Sequence, residues 1–458
     1  MSLVRRLILS TVCCLTLPCF LQAQELFPAW YTLSNSPLSG GGNSRFDDVR
    51  FMNPMTGWVV SVSDGAIFKT VDGGVSWTQQ IQSDDEFGYH VGFRSVTFVN
   101  ESRGWAGNLN FHNSPIPGRS LFESTNGGTK WLNISNRISG PDPAGICGLW
   151  AVNEQLIYGV GRWNGPPMFI KTTDGGNSWT SRDMRPLVTG LVDVYFFSAD
   201  TGLIVGGNGI GSSIEEQQNS RAAVLYTTDG GANWTKVYES ASLGRNCWKI
   251  SFPSRNVGYI ATQGTNDAGL VLKTTDGGLT WKEKFVGSGL GFSGIGFVSD
   301  THGWVGATET YTTFDGGDTW SLANGVGSHI NRFRILNDTL GYAVGLRVYK
   351  FSPISTEPES PGTPIKGPVP TRFQLRQNYP NPFNPSTNII VDMPRGSNLT
   401  VKIFDVLGRE VANLFSGALQ SGTHTLAWEP SGKIPGGVYF YRVEAEGFIA
   451  TKKMVLLK

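Results

Sequence analysis

The sequence predicts an all-β protein, a seven-bladed β-propeller followed by a small Ig-like β-sandwich. Three observations predict it: a composition rich in glycine and aromatic residues, a short motif that occurs six times, and apolar residues at alternate positions. Glycine supplies 59 of the 458 residues, well above the usual share of about 7%. Charged residues make up only 16%, below the usual share of about 25%. Because glycine is a poor helix former, this composition favours many short strands joined by tight turns.

The charge balance limits the classes of partner. The chain carries 37 Lys and Arg residues against 36 Asp and Glu residues. This balance lacks the excess of basic residues that is typical of nucleic-acid-binding proteins, so we expect no nucleic-acid partner. Low charge together with 12% aromatic residues also argues against a disordered chain.

Residues 1–23 are predicted to be a secretory signal peptide. Arg5 and Arg6 precede an apolar run that ends at Leu21, and Ala23 is a small residue at the expected cleavage point. No other segment reaches 18 consecutive apolar residues, so we expect no transmembrane segment.

Removal of the signal peptide leaves two cysteines, Cys147 and Cys247. Export takes them to an oxidising compartment, in which a disulfide is chemically possible. They fall in equivalent early strands of two repeats. The sequence therefore leaves two alternatives open, a pair of buried thiols or a bridge.

A repeated motif organises residues 24–352, which we predict to form the propeller. It reads Asp-Gly-Gly-x-x-Trp, with Asn in place of Asp in the second copy, at spacings of 54, 48, 55, 47 and 39 residues. The Asp or Asn side chain is suited to accept backbone N–H groups, and the two glycines allow positive φ. The first residues of the six copies are Asp72, Asn126, Asp174, Asp229, Asp276 and Asp315, and their tryptophans are Trp77, Trp131, Trp179, Trp234, Trp281 and Trp320.

Each repeat contains two further strands before the motif. The first has alternate apolar residues, such as Val49 and Phe51, and the second often begins with glycine and an aromatic residue, such as Gly57 and Trp58. Four short antiparallel strands in a repeat of about 40 to 50 residues are typical of a propeller blade. We expect a seventh blade in which three strands before residue 352 are completed by the N-terminal segment around Trp30.

These six strings resemble the Asp-box, or bacterial neuraminidase repeat. The whole repeat is similar to that of the photosystem II stability/assembly factor-like family, and Asp-boxes also occur in sialidases, sortilin and xyloglucanases. The resemblance covers about 70% of the chain. It implies the propeller fold and little about function, since the Asp-box is a structural turn in all of these families.

A proline-rich segment and a second domain follow the propeller. Residues 353–370 contain six prolines, a composition that predicts a semi-extended linker. Residues 371–458 alternate between apolar and polar positions in short runs, as a small β-sandwich would.

The second domain resembles the type A C-terminal sorting domain of the type IX secretion system of Bacteroidota. The segments that carry the resemblance are 378–385 (NYPNPFNP), 403–409 (IFDVLGR), 436–439 (GGVY) and 452–458 (KKMVLLK). It implies export across the outer membrane, with the secretion machinery as partner of residues 371–458 and a secreted or outer-surface location. The alternative is a plain Ig-like accessory module.

We find no catalytic signature. The sequence lacks zinc-ligand spacings, a phosphate loop and a Gly-x-Ser-x-Gly elbow. We therefore predict no catalytic residue, no cofactor and no metal site, although the acidic loop Asp84–Glu86 is open to either calcium or plain solvation. A sialidase would have an Arg-Ile-Pro motif before its first Asp-box, and the nearest string, Phe333–Leu336, follows the last one without the proline.

Binding is expected on one face of the propeller. The strand order places the loops between second and third strands on the face opposite the Asp-Gly-Gly turns. Long loops on a rigid scaffold often bind ligands, and here they occur in four consecutive blades, at Asn108–Ser120, Gly161–Met168, Gly206–Arg221 and Gln263–Gly269. The candidate residues on these loops are Arg162 and Trp163, with the carboxylates Glu215, Glu216 and Asp267.

Polar residues of the first strands supply further candidates: Asp48, Arg50, Asp193, Lys249, Arg332 and Arg334. They either hold an anionic or peptide ligand in the channel or form ion pairs with one another. Trp150, Trp163 and Trp248 have no equivalents in the other repeats, and we expect all three on the ligand side.

The sequence thus predicts a secreted or cell-surface, non-enzymatic propeller that binds protein or glycan. The alternative is a carbohydrate-active enzyme, a glycoside hydrolase or sialidase-like protein, that uses carboxylates of the long loops.

Overall fold

A computed structural model gives the structure of the protein. It describes residues 28–38, 45–110, 117–209, 214–264, 268–288, 291–353, 372–375, 377–378, 381, 383, 387–419, 421–430 and 434–457. The predicted signal peptide lies outside these residues, as does the predicted linker except for Pro353.

The strands of residues 28–353 fall into seven sheets. The first described strand is β1 (Pro28–Thr32). Blade 1 consists of β2 (Phe46–Phe51), β3 (Gly57–Ser61), β4 (Ala66–Thr70) and β5 (Thr78–Gln82). Blade 2 consists of β6 (Phe93–Phe98), β7 (Gly104–Asn108), β8 (Leu121–Ser124) and β9 (Leu132–Asn133). Blade 3 consists of β10 (Ile138–Ser139), β11 (Gly148–Ala151), β12 (Ile157–Gly161), β13 (Met168–Thr172) and β14 (Trp179–Asp183).

The next three sheets repeat the same order. Blade 4 consists of β15 (Gly190–Phe196), β16 (Gly202–Asn208), β17 (Arg221–Thr227) and β18 (Thr235–Glu239). Blade 5 consists of β19 (Arg245–Ser251), β20 (Gly258–Gly264), β21 (Ala268–Thr274) and β22 (Lys282–Ser288). Blade 6 consists of β23 (Gly294–Phe297), β24 (Gly303–Gly306), β25 (Thr310–Thr313) and β26 (Ser321–Leu322).

Blade 7 closes the ring with both ends of the propeller. Its strands β27 (Arg332–Asn337), β28 (Leu340–Val344) and β29 (Val348–Pro353) are completed by β1, in the order β1-β29-β28-β27. Trp30 of β1 pairs with Phe351, and its buried ring packs on Trp304 at 5.3 Å. The predicted closure is therefore confirmed. Pro353, assigned to the linker by the sequence analysis, is instead the last residue of β29 and pairs with Pro28.

The first strands of the blades form the inner wall of the ring. Each contacts the first strand of the next blade, and β27 contacts β2. Five of them, β2, β6, β15, β19 and β27, have a β-bulge or a similar shift of register. A bulge places an extra residue opposite its partner and redirects its side chain.

Strand direction divides the propeller into two faces. The loops from second to third strands and from blade to blade lie on one face, which we call the loop face. The turns from first to second strands and the Asp-Gly-Gly turns lie on the opposite face, the turn face. Each first strand runs from the loop face to the turn face. Its first residues therefore lie near the loop face and its last residues near the turn face.

The Asp-Gly-Gly turn has the geometry that its residues predict. In blade 1, Asp72 Oδ1 accepts the backbone N–H of Ser76 at 2.9 Å and the Thr70 hydroxyl at 2.7 Å. Gly73 and Gly74 have φ of 73° and 94°, and an added Cβ on Gly74 would lie 2.5 Å from Leu33 Cδ1. Positive φ and close packing together explain the paired glycines.

Helix content is small. The chain forms α1 (Ser83–Phe87), α2 (Ile214–Gln218) and the 3₁₀ turn Ser135–Arg137. The acidic loop 84–86 of the sequence analysis is thus part of α1. Within the described part of the chain, no helix has the length and apolar character that a membrane span requires.

Residues 372–457 form a second, two-sheet unit. One sheet contains β30 (Gln374–Leu375), β31 (Thr387–Met393) and β34 (Gly422–Trp428). The other has the order β33-β32-β35-β36, from β32 (Ser397–Asp405), β33 (Glu410–Leu419), β35 (Gly437–Ala445) and β36 (Phe448–Leu456). The two sheets share one apolar core that includes Ile389, Trp428 and Tyr441. The predicted sandwich is present, and its Ig-like character stays a prediction.

Candidate functional site

A buried ion-pair cluster lies in the middle of the channel. Arg332 donates from Nη1 and Nη2 to the two carboxylate oxygens of Asp193, both at 2.9 Å, and from Nε to Asp48 Oδ1, also at 2.9 Å. All three residues are buried. Asp193 belongs to blade 4 and Asp48 to blade 1, so one guanidinium from blade 7 joins three blades across the channel.

Backbone groups complete the coordination of the two carboxylates. Asp193 Oδ2 accepts the N–H of Ile250 at 3.0 Å, and Asp48 Oδ2 accepts the N–H of Val96 at 3.1 Å. Burial works against the charged form of Asp193, but Arg332 lowers the pKa of this carboxyl below its ordinary value. Asp193 is therefore charged at neutral pH. For these three residues, the ion-pair alternative of the sequence analysis describes the structure.

Lys249 lies on the same wall without a bonded partner. It is fully buried, and among the described residues no acceptor forms a hydrogen bond with its Nζ. Burial, assisted by the nearby Arg332, lowers the pKa of Lys249 to about 7. An amine in this environment loses its charge near neutral pH, which reduces the cost of its burial.

The loop face opens into a cavity of about 280 Å³, which we call the loop-face cavity. Arg45 and Gly244, which directly precede the first strands β2 and β19, place it at the loop-face end of the channel. Its lining combines aromatic, amide and charged groups. The lining residues are Arg45, Asp47, Arg94, Leu109, Trp163, Gly244, Asn246, Trp248, Gln263 and Gly264.

Two predicted residues, Trp163 and Trp248, meet in this cavity. Their ring centroids are 6.5 Å apart. Trp248 is buried and donates its indole N–H to Asn331 Oδ1 at 3.1 Å, and Asn331 donates to the backbone carbonyl of Asp47 at 2.6 Å. Trp163, from the loop between β12 and β13, is only partly buried. Trp248 is thus fixed by the scaffold, and Trp163 is the more accessible of the two rings.

A second ion pair forms the charged side of the cavity. Arg94 Nη1 lies 2.6 Å from Asp47 Oδ1, and Arg45 Nε lies 3.7 Å from the same oxygen. The Arg94 guanidinium also stands 5.5 Å from the centroid of the Trp248 ring. Two arginines on one carboxylate leave a net positive charge beside two indole rings. Such a surface favours ligands with planar or anionic groups.

Sequence reasoning missed Arg45, Asp47 and Arg94. Asp47 and Arg94 are the extra residues of the bulges in β2 and β6, so strict alternation places their side chains on the wrong side of the strand. The signal available in the sequence was the adjacent pair Asp47 and Asp48, because two neighbouring acidic residues break the alternation of an inner strand.

Arg162 lies beside the cavity but is held by its own loop. Its side chain is buried, Nη1 donates to the carbonyl of Asn110 at 2.9 Å, and Nε donates to Asn164 Oδ1 at 2.6 Å. These bonds join the long loops of blades 2 and 3. We therefore assign Arg162 to the support of the loop face.

Trp150 lies at the other end of the channel, contrary to the expectation that the three unmatched tryptophans share one side. It lines a cavity of about 290 Å³, the turn-face cavity, together with Tyr195, Phe252 and Arg334. The wall includes Pro253 and Asp338, which follow the first strands β19 and β27, and this places the cavity at the turn face. Trp150 is the penultimate residue of β11 and so lies near the turn-face end of this strand.

The remaining predicted positions are dispersed. Glu215 and Glu216 are exposed on α2, and Asp267 lies outside the described residues. Cys147 and Cys247 are separate buried thiols. Cys147 packs with Leu109, a wall residue of the loop-face cavity, and burial raises the pKa of both thiols.

The second domain matches a known family. Residues 377–457 match the secretion system C-terminal sorting domain. The matched segment contains six of the seven strands of the sandwich and indicates export by the type IX secretion system, to the cell surface or beyond. A comparison with curated protein sequences gives no match.

Solved structures share the propeller fold at low sequence identity. YCF48 bound to D1 peptide is 17% identical, with a TM-score of 0.50, over 71% of this chain and 97% of that chain. Virginiamycin B lyase from Staphylococcus aureus is 11% identical, with a TM-score of 0.51, over 72% and 100%. The GH74 xyloglucanase from Xanthomonas campestris is 13% identical, with a TM-score of 0.50, over 86% and 63%.

Likeness at this level concerns the fold alone, because one scaffold hosts many functions. The chain consists of a seven-bladed β-propeller, which resembles the photosystem II assembly factor in fold, followed by a secretion system C-terminal sorting domain.

Proposed function

We propose that this protein is a secreted, non-enzymatic binding module that takes a protein or glycan ligand in the loop-face cavity. The observation that carries the proposal is the pairing of Trp163 and Trp248 beside Arg94 and Arg45 at one mouth of the channel. Aromatic rings with a cationic flank are typical of recognition surfaces for sugars, peptides and anionic groups. The N-terminal signal peptide predicted from the sequence and the sorting domain supply the export route.

The state of the channel carboxylates supports binding rather than catalysis. Asp48 and Asp193 are bound to Arg332, and Asp47 is bound to Arg94. A general acid or base must exchange a proton near neutral pH. Carboxylates held by guanidinium groups are poorly suited to that role.

The test is capture of ligands from culture medium and from cell-surface extracts on the immobilised full chain. We expect Trp163→Ala to abolish capture of the specific ligand, because this ring is the accessible half of the indole pair. Trp150→Ala, at the other mouth, serves as the matched control and should retain capture. Loss with Trp150→Ala and retention with Trp163→Ala would move the binding site to the turn face.

The alternative function, a carbohydrate-active enzyme, depends on the loop-face carboxylates. Glu215 and Glu216 are exposed on α2, where a polysaccharide chain can reach them. Turnover of glycosides or sialosides by the full chain, abolished by Glu215→Gln or Glu216→Gln, would replace the binding proposal with this one.

A further inference from the structure

The turn-face cavity combines apolar walls with unpaired positive charge. Its volume of about 290 Å³ lies near the lower end for ligand pockets. The Trp150 and Tyr195 rings are 4.4 Å apart, and Phe252 lies 5.1 Å from Tyr195. The walls therefore suit a small ligand with an apolar body.

Arg334 supplies the charge of this cavity. Its guanidinium stands 5.8 Å from the Trp150 ring centroid, and its Nε lies 3.4 Å from the carbonyl of Val49. Arg50 lies next to it and is similar. Its Nη2 reaches the carbonyl of Phe98 at 3.4 Å, and its Nε forms no hydrogen bond with the residues that the structure describes. Both contacts are at the long limit of hydrogen bonding.

The available carboxylates are already engaged elsewhere. The described first strands carry six basic residues against three acidic ones. Asp47 pairs with Arg94 and Arg45. Asp48 and Asp193 both pair with Arg332. Asp338 lies exposed at the edge of the cavity and forms no ion pair with Arg334 among the described residues. Among the described residues, Arg334 and Arg50 therefore form no ion pair, although Asp48 and Asp193 lie close enough to act on Arg334.

This arrangement costs free energy unless an anion completes it. Arg334 and Arg50 are each partly buried, and a charge that loses part of its hydration without an ion-pair partner is destabilised. Burial and the neighbouring Arg50 lower the pKa of Arg334 to about 9. A carboxylate at the guanidinium would remove the penalty through charge-assisted hydrogen bonds.

We propose that the turn-face cavity binds a small organic carboxylate, with the carboxylate on Arg334, beside the neighbouring Arg50, and an aromatic or branched apolar body against Trp150 and Tyr195. This site is separate from the loop-face cavity, from which the cluster of Arg332, Asp48 and Asp193 divides it. It goes beyond the proposed function, because two ligands of different chemistry would occupy opposite mouths of one channel.

The test uses phenylacetate as probe and phenylacetamide as its uncharged isostere. Phenylacetate should raise the Tm of the full chain in a saturable manner and quench tryptophan fluorescence. Phenylacetamide and acetate should each bind at least about ten-fold more weakly, since each lacks one of the two recognised parts. Equal effects of phenylacetate and phenylacetamide, or of phenylacetate and acetate, would overturn the proposal.

Matched variants locate the site. Arg334→Gln should reduce the apparent affinity for phenylacetate at least about ten-fold. The control is Arg255→Gln, which removes an exposed arginine of the turn face that stacks on Phe197 at 3.9 Å, outside the cavity. If Arg334→Gln does not fold, Arg50→Gln takes its place. Unchanged affinity in the folded variant, or equal loss in the control, would contradict the assignment.

Discussion

Arg332 of the seventh blade binds Asp193 of the fourth through two parallel hydrogen bonds of 2.9 Å. The two residues lie on first strands on opposite sides of the channel, 139 positions apart in sequence. The same guanidinium also holds Asp48 of the first blade. The Arg332–Asp193 ion pair therefore spans the channel and separates its loop-face end from its turn-face end.

Loss of the ion pairs of Arg332 should destabilise the propeller strongly. Arg332→Leu leaves Asp193 and Asp48 buried without their cation, and we expect the free energy of unfolding to fall by about 3–5 kcal/mol. Urea unfolding followed by tryptophan fluorescence measures it. The control, Arg185→Leu, breaks an exposed pair with Asp183 and should cost less than about 1 kcal/mol. Similar losses in the two variants would contradict the prediction.

Ring closure should depend on Trp30. Its ring is buried between Trp304, Phe333 and Phe351, at 5.3 to 5.5 Å. Trp30→Ala should lower the free energy of unfolding by about 3–5 kcal/mol, because it removes a large buried ring and leaves a cavity in the closing blade. Leu38→Ala, at a residue that is 63% exposed, is the control. A small effect of Trp30→Ala would show that blade 7 does not need the N-terminal strand.

The Asp-Gly-Gly turns should make the protein sensitive to acid. Hydrogen bonds from the hydroxyl and the backbone N–H of Ser76 lower the pKa of Asp72 to about 2, from an ordinary value of 3.8. Ser178 acts in the same way on Asp174. Because the folded state binds these protons less readily than the unfolded state, the stabilisation is present above about pH 4 and is lost towards pH 2. The midpoint of urea unfolding, measured across this range, should fall accordingly.

Asparagine substitution separates this titration from the turn geometry. The second turn already carries Asn126, whose Oδ1 accepts the N–H of Lys130 at 2.9 Å, so asparagine keeps the acceptor and removes the proton. The double variant Asp72→Asn/Asp174→Asn should lose less stability between pH 4 and pH 2 than the unmodified chain. Asp85→Asn, on the exposed helix α1, should leave the pH profile unchanged. A profile identical in all three proteins would rule out the turns as its source.

The two cysteines should behave as buried thiols. Burial raises the pKa of Cys147 and Cys247, which disfavours the reactive thiolate. In the chain without residues 1–23, a thiol reagent should react slowly in native buffer and label two groups in denaturant without reductant. Absence of labelling in denaturant would indicate the disulfide that the sequence left open.

Export should require the sorting domain. In a host with a type IX secretion system, deletion of 373–458 should retain the propeller in the periplasm. Tyr441→Ala should have the same effect, because it removes a fully buried ring from the sandwich core. Fractionation with an antibody against the propeller measures it, with Tyr31→Ala, at a partly buried residue of β1, as the control. Surface delivery without residues 373–458 would refute the sorting role.

The fold was predictable because its signals are local and repeated. Each Asp-Gly-Gly turn supplies its own acceptor and its own positive-φ residues, so one copy explains all six. The incomplete seventh repeat likewise predicted the role of the strand around Trp30. The sorting domain was recognisable from short motifs for the same reason.

The candidate site was less predictable because it depends on irregularity and on distance. Bulges redirect Asp47 and Arg94 towards the channel, and no periodic pattern contains them. The pairing of Arg332 with Asp193 joins residues that only ring closure brings together. Trp150 is the penultimate residue of β11, whereas Trp248 lies in the middle of β19. The alternation of apolar and polar residues does not show which end of the channel such a ring approaches.

The pairing of Pro28 with Pro353 also places both ends of the propeller at one face. β29 is a third strand and ends at the turn face, and β1 begins there beside it. Trp163 and the loop-face cavity lie at the opposite face, so neither end of the propeller lies beside that cavity.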